Sequence, residues 1–383
     1  MSLIVGVVKE GMEGERRVAL VPLHVAGLLK AGCEVWVQAG AGLEAGYTDE
    51  EYRTKGCKIV TSREEVLASS DILLTVRTGG ANPTTGREDL SKVKERALVV
   101  GHFDPYGVHP SFQALADRKG SACALELLPR ITRAQSMDVL SSMANLAGYK
   151  AVILAAETLP KIFPMMMTAA GTVVPAKVFV IGAGVAGLQA LATARRLGAV
   201  TSAYDVRPVV KDQVESLGAK FIELGLETKE AEGAGGYARA MDEEFYRKQR
   251  EKLTEVLSGV DVVITTAAIP GKKAPVLVTR EMVEKMSPGS VIVDIAAERG
   301  GNCELTKPGE RVVHQGVTIL GPVNLASTVP YHASQLYSKN ITTFLLAVLK
   351  NGSIQLSEED EVVKSVLVMR EGVYLSEAIK PKE

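Results

Sequence analysis

The first third of the chain alternates short apolar runs with stretches whose apolar residues recur at three- and four-residue steps. This alternation predicts strands separated by helices, and therefore a parallel sheet with helices on both faces. The predicted strands are LIVGVV (3–8), EVWVQAG (34–40), DILLTV (71–76), ALVVGHF (97–103) and SACALEL (121–127). The predicted helices lie near 22–31, 62–69 and 109–118. No glycine fingerprint follows the first strand, so we do not expect this half to hold a dinucleotide in the usual manner.

A long helical pattern follows from Met137 to about Leu159, and Pro160 and Pro164 end it. Residues 165–325 then repeat the strand and helix alternation. The strands predicted in this region are KVFVIGAG (177–184), VTSAYDV (200–206), KFIEL (220–224), DVVITTA (261–267), SVIVDIA (290–296) and VTILGP (317–322). A helix at about 333–349 is expected to return to the first half, followed by a polar turn and a short tail.

The pattern therefore predicts an α/β protein with two Rossmann-like, doubly wound parallel-sheet domains joined by long helices. The first domain is discontinuous, because both ends of the chain contribute to it. We expect it to comprise residues 1–138 plus 330–383. Residues 139–163 form the linking helix, and residues 164–329 form the second domain.

Composition narrows the class of protein. The 383 residues include 44 Lys and Arg and 45 Asp and Glu. The resulting net charge of −1 argues against a general nucleic-acid binder. The four cysteines are scattered without metal-ligand spacing, so we expect a reduced, intracellular protein without a metal site. The first residues lack the features of a signal peptide. The most apolar stretch, 172–194, is interrupted by Pro175 and Lys177, so we expect no transmembrane segment in this chain.

The strongest chemical motif is VIGAGVAGLQALATARRLGAVTSAYDVRP. Gly182, Gly184 and Gly187 give G-x-G-x-x-G where a predicted strand meets a helix. The first glycine permits the tight turn, and the second lets a diphosphate approach the amides of the helix N-terminus. The third lets the helix pack closely on the strand. The motif in this context predicts a bound dinucleotide.

An acidic residue follows at the spacing that this motif requires. Asp205 ends the next predicted strand, where its carboxylate can accept hydrogen bonds from the adenosine ribose hydroxyls. A carboxylate repels a 2′-phosphate, which favours NAD over NADP. Arg207 complicates this preference, since an arginine at that position can receive the phosphate; we interpret it as flanking the pocket.

Polar residues are crowded before the long helix, in PRITRAQSMDVLSS. In a two-domain nucleotide enzyme such a loop is well placed to meet the nicotinamide. Arg130 could meet a phosphate or the carboxamide, Gln135 could hydrogen-bond the ribose, and Asp138 could orient Arg130. The alternative is an N-capping cluster, with Ser136 or Asp138 bonded to free helix amides.

Several motifs together resemble one family. PRITRAQSMDVLSSMANLAGYKAV, VIGAGVAGLQA, AYDVRP, GAGGYA, TTAAIPGKKAPVLVT and GGNCEL are similar to the NAD(H)-binding component, domain I, of proton-translocating NAD(P) transhydrogenase. The resemblance covers nearly the whole chain. It implies a dimer of two-lobed subunits that bind NAD(H) in the second lobe. It also implies hydride transfer to or from NADP(H) on a separate subunit, which membrane-spanning subunits couple to proton translocation.

The resemblance also implies site residues. The residues of the nicotinamide loop are Arg130, Gln135, Asp138 and Ser141, of which the first three are the candidate catalytic groups. The remaining candidate cofactor-binding residues are Gly182, Ala183, Gly184, Val185, Ala186, Asp205, Val206, Arg207, Gly236, Tyr237, Gln249 and Ala268. Gly236 and Tyr237 fall in a polar, glycine-rich segment, 225–240, expected to be a mobile loop. Two residues depart from the family pattern: Met143 stands where glutamine is usual, and Ala268 where leucine is common.

Two other functions fit some of the same motifs. Alanine dehydrogenase shares KEGMEGERRVALVP and IPGKKAPVLVT, and its chemistry needs a base and cationic anchors, for which His102, Arg17 and Arg77 are candidates. Glu298 stands where that family prefers aspartate, and Arg77 where it has lysine. A non-catalytic NAD sensor is the third class, although the Arg–Gln–Asp loop is more than a sensor needs.

The resemblance to transhydrogenase also implies a location. We expect a cytoplasmic subunit held at the inner face of the cell membrane by its partners.

Overall fold

The computed structural model describes residues 2–225, 243–269, 271–350 and 352–381. The chain forms two compact units. The first comprises Met1–Met143 with Ser327–Glu383, and the second comprises Ala144–Ala326.

The strands follow in chain order. They are β1 (Leu3–Val7), β2 (Cys33–Gln38), β3 (Lys58–Val60), β4 (Ile72–Arg77), β5 (Leu98–His102), β6 (Ser121–Ala124), β7 (Met166–Thr168), β8 (Gly171–Val173), β9 (Lys177–Ile181), β10 (Val200–Tyr204), β11 (Lys220–Phe221), β12 (Val262–Thr265), β13 (Val291–Asp294), β14 (Arg311–His314), β15 (Val317–Leu320), β16 (Leu349–Lys350), β17 (Ser353–Ile354), β18 (Leu367–Arg370) and β19 (Val373–Tyr374).

The α-helices are numbered in the same way. They are α1 (Val25–Lys30), α2 (Asp49–Thr54), α3 (Arg63–Ser69), α4 (Gly86–Lys92), α5 (Pro110–Asp117), α6 (Val139–Thr158), α7 (Val185–Arg196), α8 (Lys211–Ser216), α9 (Glu243–Leu257), α10 (Arg280–Val283), α11 (Pro330–Val348) and α12 (Glu361–Val366). The long helix predicted from Met137 is α6, and the returning helix predicted at 333–349 is α11.

The sheet of the first unit has the order β19-β18-β6-β5-β4-β1-β2-β3 among the described residues. The six strands from β1 to β6 pair in parallel, while β18 is antiparallel to both of its neighbours. The C-terminal residues were expected to form a short tail. That expectation is wrong, because β18 pairs with β6 and extends the sheet.

The second unit has the order β11-β10-β9-β12-β13-β15-β14 among the described residues. All pairs are parallel except β14 with β15. Strands that follow β9 in the chain are added first on one side of it (β10, β11) and then on the other (β12 onward), so the strand order reverses between β9 and β12. Ligands of such sheets bind in the crevice at that point. The predicted doubly wound α/β fold is confirmed for both units.

The sheet of the second unit is covered on both faces. Along β9, Val178 and Val180 belong to one buried cluster while Phe179 and Ile181 belong to another. Successive side chains of a strand point to opposite faces, so these two clusters are the two halves of the core. This is why the strands of this unit are nearly continuous apolar runs rather than alternating patterns.

Helix α6 is long and apolar enough to cross a membrane, by length and composition, with a mean hydropathy of 1.4. The sequence pattern alone predicted no such stretch. In the second unit, Ala151, Val152 and Ala155 of this helix are fully buried in the core. A third of its most apolar stretch is buried, and core helices of globular proteins can have the same length and composition.

Candidate functional site

The glycine-rich turn of the second unit lies where its sheet reverses direction. Gly182 follows β9 with a φ of +98°, and a Cβ there would lie 2.7 Å from Thr266 Oγ1. A Cβ on Gly187 would lie 1.9 Å from the carbonyl oxygen of Gly182. Both positions therefore require glycine, the first for its left-handed conformation and the second for close packing of α7 on the turn.

The middle glycine of the motif is different. A Cβ on Gly184 would meet nothing within 4 Å, so the space in front of this residue is open. Gly184 is the N-cap of α7, and it has no side chain with which to cap the helix. No acidic residue lies in the first turn, which contains Val185 and Ala186. Uncapped amides beside open space are the feature to which a diphosphate binds, so the residues present fit a dinucleotide.

Asp205 lies beside this turn, directly after β10, and is 7 % exposed. Its Oδ2 accepts a hydrogen bond of 2.7 Å from the amide of Ala183. The carboxylate therefore helps to fix the glycine turn. The guanidinium Nη2 of Arg207 donates to Asp205 Oδ2 at 2.8 Å, and the expectation that Arg207 flanks the pocket stays a prediction.

A cleft of about 190 Å³ opens next to Asp205. Its walls are the end of β10, the start of α8 and the residues around β11. The lining residues are Tyr204, Asp205, Val206, Pro208, Lys211, Phe221, Ile222, Glu223, Leu224 and Gly225. The mixture of apolar walls and one buried carboxylate suits the adenosine moiety of a dinucleotide.

Gln249 of α9 is fully buried. Its Nε2 donates a hydrogen bond of 2.9 Å to the hydroxyl of Tyr204, the residue before Asp205. Its Oε1 is buried and has no hydrogen-bond partner among the residues that the structure describes. The structure thus places Gln249 against Tyr204, which lines the cleft, and a direct contact between Gln249 and the nucleotide stays a prediction.

The loop after β12 carries the exposed Ala268, and the side chain of Asn302 helps to hold it. Asn302 Oδ1 accepts from the amide of Ala267 at 3.0 Å, and Asn302 Nδ2 donates to the carbonyl of Ala267 at 2.8 Å. The same Nδ2 also donates to the carbonyl of Pro275. Asn302 belongs to the GGNCEL motif, but sequence reasoning did not identify it as a residue that supports the site.

Asp294, at the end of β13, fixes Asn302 in turn. This carboxylate is fully buried. Its five hydrogen-bond donors are Thr265 Oγ1 (2.9 Å), the amide of Ala296 (3.1 Å), the amide of Asn302 (2.7 Å), the amide of Cys303 (3.0 Å) and Thr306 Oγ1 (2.7 Å). A buried charge is tolerated only when it is well bonded, and this carboxylate joins the ends of β12 and β13 to the following loop. A single aspartate in an apolar strand gave no signal of that role.

Helix α6 approaches the glycine turn within the second unit. A Cβ on Gly148 would lie 2.1 Å from the carbonyl oxygen of Ala186 in the first turn of α7. The helix can therefore come this close only because residue 148 is glycine. Sequence reasoning missed Gly148, although a glycine inside an otherwise regular helix was the available signal.

The predicted nicotinamide loop belongs to the first unit, and Arg130 and Gln135 are exposed there. Asp138 precedes α6 and accepts hydrogen bonds from the amide of Ser141 at 2.9 Å and from its hydroxyl at 2.5 Å. This is the N-capping arrangement that the sequence pattern left open for Asp138. Met143, which stands where the family usually has glutamine, is buried, with 8 % of its surface exposed.

Two residues from the C-terminal region of the chain hold this loop in place. Asp360, the N-cap of α12, forms an ion pair with Arg133. Asn340 of α11 donates a hydrogen bond of 2.9 Å to the carbonyl of Ser136. Gln135 lies between these two attachment points, so its backbone position is fixed while its side chain is exposed.

The candidate residues of the rival dehydrogenase function also lie in the first unit. The guanidinium of Arg17 donates to both carboxylate oxygens of Glu15, at 2.7 and 2.6 Å. Burial, with Arg17 and Arg77 nearby, lowers the pKa of His102 to about 3. Glu10 follows β1 and is buried, and its carboxylate accepts hydrogen bonds from the amides of Val76 and Arg77. Burial raises the pKa of Glu10 to about 8.

Gly236 and Tyr237 lie outside the described residues. Within residues 2–225, 243–269, 271–350 and 352–381, no group of three His, Cys, Asp or Glu side chains could hold a metal ion. The candidate residues that the structure describes fall in two clusters, each within its own unit. The second unit brings together Gly182, Ala183, Gly184, Asp205 and Arg207, and the first unit brings together Asp138 and Ser141.

Comparison with known proteins bears on both units. Residues 6–147 match the alanine dehydrogenase/PNT N-terminal domain, and residues 151–377 match the alanine dehydrogenase/PNT C-terminal domain. The chain is 48% identical over 381 residues to an NAD(P) transhydrogenase alpha-subunit polypeptide of Rhodospirillum rubrum, covering 98% of both proteins.

A solved structure agrees with this match. Transhydrogenase from Sinorhizobium meliloti superposes with a TM-score of 0.86 at 46% identity, covering 97% of this chain and 100% of that one. Alanine dehydrogenase of Methanococcus maripaludis is more distant, with 27% identity over 387 residues, 98% of this chain and 95% of that protein.

Proposed function

The chain belongs to the alanine dehydrogenase/PNT family, where its near relatives are NAD(P) transhydrogenase alpha subunits, and we propose that it binds NAD(H) in its second unit for direct hydride exchange with NADP(H) on a partner subunit. It is a component of the NAD(P) transhydrogenase enzyme. Membrane-spanning subunits couple the exchange to proton translocation.

One observation carries the proposal for the NAD(H) site. The open space in front of Gly184 adjoins the uncapped first turn of α7, and the Asp205 carboxylate lies beside the same turn. The amides and the helix dipole bind the diphosphate, and the carboxylate binds the adenosine ribose. A negative charge at Asp205 favours NAD(H) over NADP(H), because it repels a 2′-phosphate.

The first unit supplies the groups that position the nicotinamide. NAD(H) itself supplies the hydride-carrying carbon, C4 of the ring, so no general base is needed at the reacting atoms. The requirement is closeness, with the reacting carbons about 3–3.5 Å apart. We assign the orientation of the ring to Arg130, Gln135 and Asp138, with Ser141 held by Asp138. One face of the ring has to stay open toward the partner.

The same structure disfavours alanine dehydrogenase activity. A general base works best with a pKa near the operating pH, and the pKa of His102 is about 3. The anchor proposed for a substrate carboxylate, Arg17, already binds both oxygens of Glu15. Glu298, at the position of the second-lobe acid, accepts a hydrogen bond from the amide of Asn324 instead.

Two assays of the purified chain separate the two activities. The first supplies pyruvate, ammonium and NADH to the chain alone. The second mixes the chain with an NADP(H)-binding partner domain, NADPH and an oxidised NAD analogue. We expect turnover only in the second assay. Turnover of pyruvate would assign the chain to the dehydrogenases and overturn the proposal.

Gln135→Asn tests the positioning role. Shortening the side chain by one methylene keeps the amide but moves it by more than about 1 Å, which is enough to disturb a near-attack geometry. We expect the single-turnover rate of hydride transfer to fall by about tenfold or more, while the Kd for NADH changes less than about threefold. Gln113→Asn, the same change at an exposed residue of α5, is the matched control. A large loss of affinity with a normal rate would contradict the role.

We propose that the chain lies in the cytoplasm, at the inner face of the cell membrane. Its partners there are the NADP(H)-binding beta subunit and the membrane-spanning subunits, through which it is held at the membrane. We also propose that two copies of the chain form a homodimer.

We assign the dimer contact to the hairpin of β7 and β8. All six residues of its strands are exposed, and Met167 and Val174 are 76 % and 77 % exposed. A two-stranded hairpin with an apolar surface is at most marginally stable in water by itself, so a second copy covering it would stabilise it. Met167→Asp is expected to give a monomer by light scattering, whereas Val313→Asp, at an exposed residue of β14, stays dimeric. A dimeric Met167→Asp protein would place the contact elsewhere.

A further inference from the structure

The Gln135 loop is the short 3₁₀ helix Thr132–Met137. Its N-cap residue, Ile131, makes no side-chain hydrogen bond to the first amides of the helix. Ala134 and Met137 are buried, whereas Gln135 is exposed. Hydrogen bonds within a 3₁₀ helix have poorer geometry than those of an α-helix, so the placement of the exposed side chains depends on contacts with the rest of the unit.

One of these contacts reaches a carboxylate in the C-terminal part of the chain. Arg133 Nη2 donates to both oxygens of Asp360, at 2.5 Å to Oδ1. The same Oδ1 accepts a hydrogen bond of 3.0 Å from the amide of Val362 and thereby caps helix α12. The carboxylate therefore has two roles that a substitution can separate, since only the contact with Arg133 needs its charge.

Helix α12 holds this carboxylate in a fixed place. Val362, Val363 and Val366 are each 2 % exposed or less, so one face of the helix is in the core. Strand β18 follows directly and pairs with β6, the strand from which the chain runs on toward the Gln135 loop. Asp360 is thus anchored to the same sheet as the loop that it contacts.

The ion pair between Arg133 and Asp360 is suited to fixing geometry and contributes little to the stability of the fold. The two side chains are 57% and 28% exposed, and ion pairs in contact with water add little to the free energy of unfolding. The hydrogen bond from Arg133 holds the pKa of Asp360 below its ordinary value, so the carboxylate is charged at neutral pH.

We propose that Asp360 is a positioning residue for hydride transfer and that it acts through Arg133 on the side chain of Gln135. The inference rests on the proposed function, in which Gln135 orients the nicotinamide. Arg133 and Gln135 lie within one turn of the 3₁₀ helix, so a shift of the first moves the second. A misplacement of about 1 Å can slow a reaction about 100-fold. Release of Arg133 therefore lowers the rate of transfer more than the affinity for NADH.

Asp360→Asn separates the two roles of the carboxylate. Asparagine caps helices about as well as aspartate, so α12 keeps its N-cap, but its neutral amide cannot pair with Arg133. Asn340 still holds the loop at the carbonyl of Ser136, so we expect a partial effect. The single-turnover rate of hydride transfer with the NADP(H)-binding partner domain is expected to fall about tenfold, while the Kd for NADH changes less than about threefold. The midpoint of denaturant unfolding is expected to stay unchanged.

Glu358→Gln is the matched control. Glu358 lies two residues before Asp360 and pairs with Arg370 at 3.3 Å, so this variant removes a different exposed ion pair from the same segment. Its transfer rate is expected to equal that of the unaltered chain. Arg133→Gln is expected to slow transfer as Asp360→Asn does. The double variant is expected to be no slower than the slower single variant, because both substitutions remove one contact.

A normal transfer rate in Asp360→Asn would overturn the inference. So would a loss of rate accompanied by an equal loss of NADH affinity or of unfolding stability. A double variant whose loss of rate is the product of the two single losses would show that Asp360 does not act through Arg133, and would overturn it as well. Failure of the unaltered chain to transfer hydride with the partner domain is a different result, and it would overturn the proposed function itself.

Discussion

Gly184→Ala is expected to weaken NADH binding on the order of 100-fold, or about 2.7 kcal/mol, without a comparable loss of stability. A Cβ on Gly184 meets nothing within 4 Å, and the residue has a φ of −77°, so alanine fits the folded chain. The methyl group would instead occupy the space in which the diphosphate approaches the helix amides. Calorimetric titration with NADH and denaturant unfolding measure the two effects separately.

Gly187→Ala is the matched variant within the same motif. Its Cβ would lie 1.9 Å from the carbonyl oxygen of Gly182, so the backbone of the turn has to shift. We expect a similar loss of NADH affinity together with a loss of about 2–3 kcal/mol in unfolding free energy, as for overpacked sites. Unchanged NADH affinity in Gly184→Ala would place the diphosphate elsewhere and remove the glycine turn from the site.

Asp294→Ala is expected to lower the unfolding free energy by about 4 kcal/mol, near the upper end for a single substitution. The change leaves five buried donors without their acceptor, among them the amides of Asn302 and Cys303. Buried donors that lose a charged acceptor cost more than ordinary hydrogen bonds. Denaturant unfolding followed by far-UV circular dichroism measures the loss.

Asp294→Asn controls for the shape of the side chain. Its amide oxygen keeps some of the acceptor capacity, and the hydroxyls of Thr265 and Thr306 can rotate to accept from its nitrogen. We expect a loss of about 2 kcal/mol, roughly half that of the alanine variant. A loss below about 1 kcal/mol in Asp294→Ala would show that this carboxylate does not hold the strand ends together.

Much of the fold could be predicted because buried parallel strands are continuous apolar runs. β9, β12 and β13 were each predicted within a few residues, and the family resemblance is confirmed by the relatives. The hairpin β7–β8 and the edge strand β14 were not predicted. Their apolar residues are partly or fully exposed, so no burial pattern distinguished them from loops.

The part of the candidate site formed by residues close together in the sequence could be predicted. The glycines and Asp205 follow one another at fixed spacing, so the motif was visible. Arg207 was visible too, but its ion pair with Asp205 depends on how the chain turns after β10. Gly148 packs against Ala186, and Asp360 pairs with Arg133. These partners are distant in sequence, so the local pattern does not identify them.

The central claim is that this chain binds the NAD(H) half of a direct nicotinamide-to-nicotinamide transfer. The most direct test uses NADH that carries deuterium at the transferred position of C4, mixed with the chain, an NADP(H)-binding partner domain and NADP⁺ in ordinary water. Mass spectrometry of the NADPH formed is predicted to find the deuterium retained. Loss of the label to water, or NADPH formation without this chain, would contradict the account.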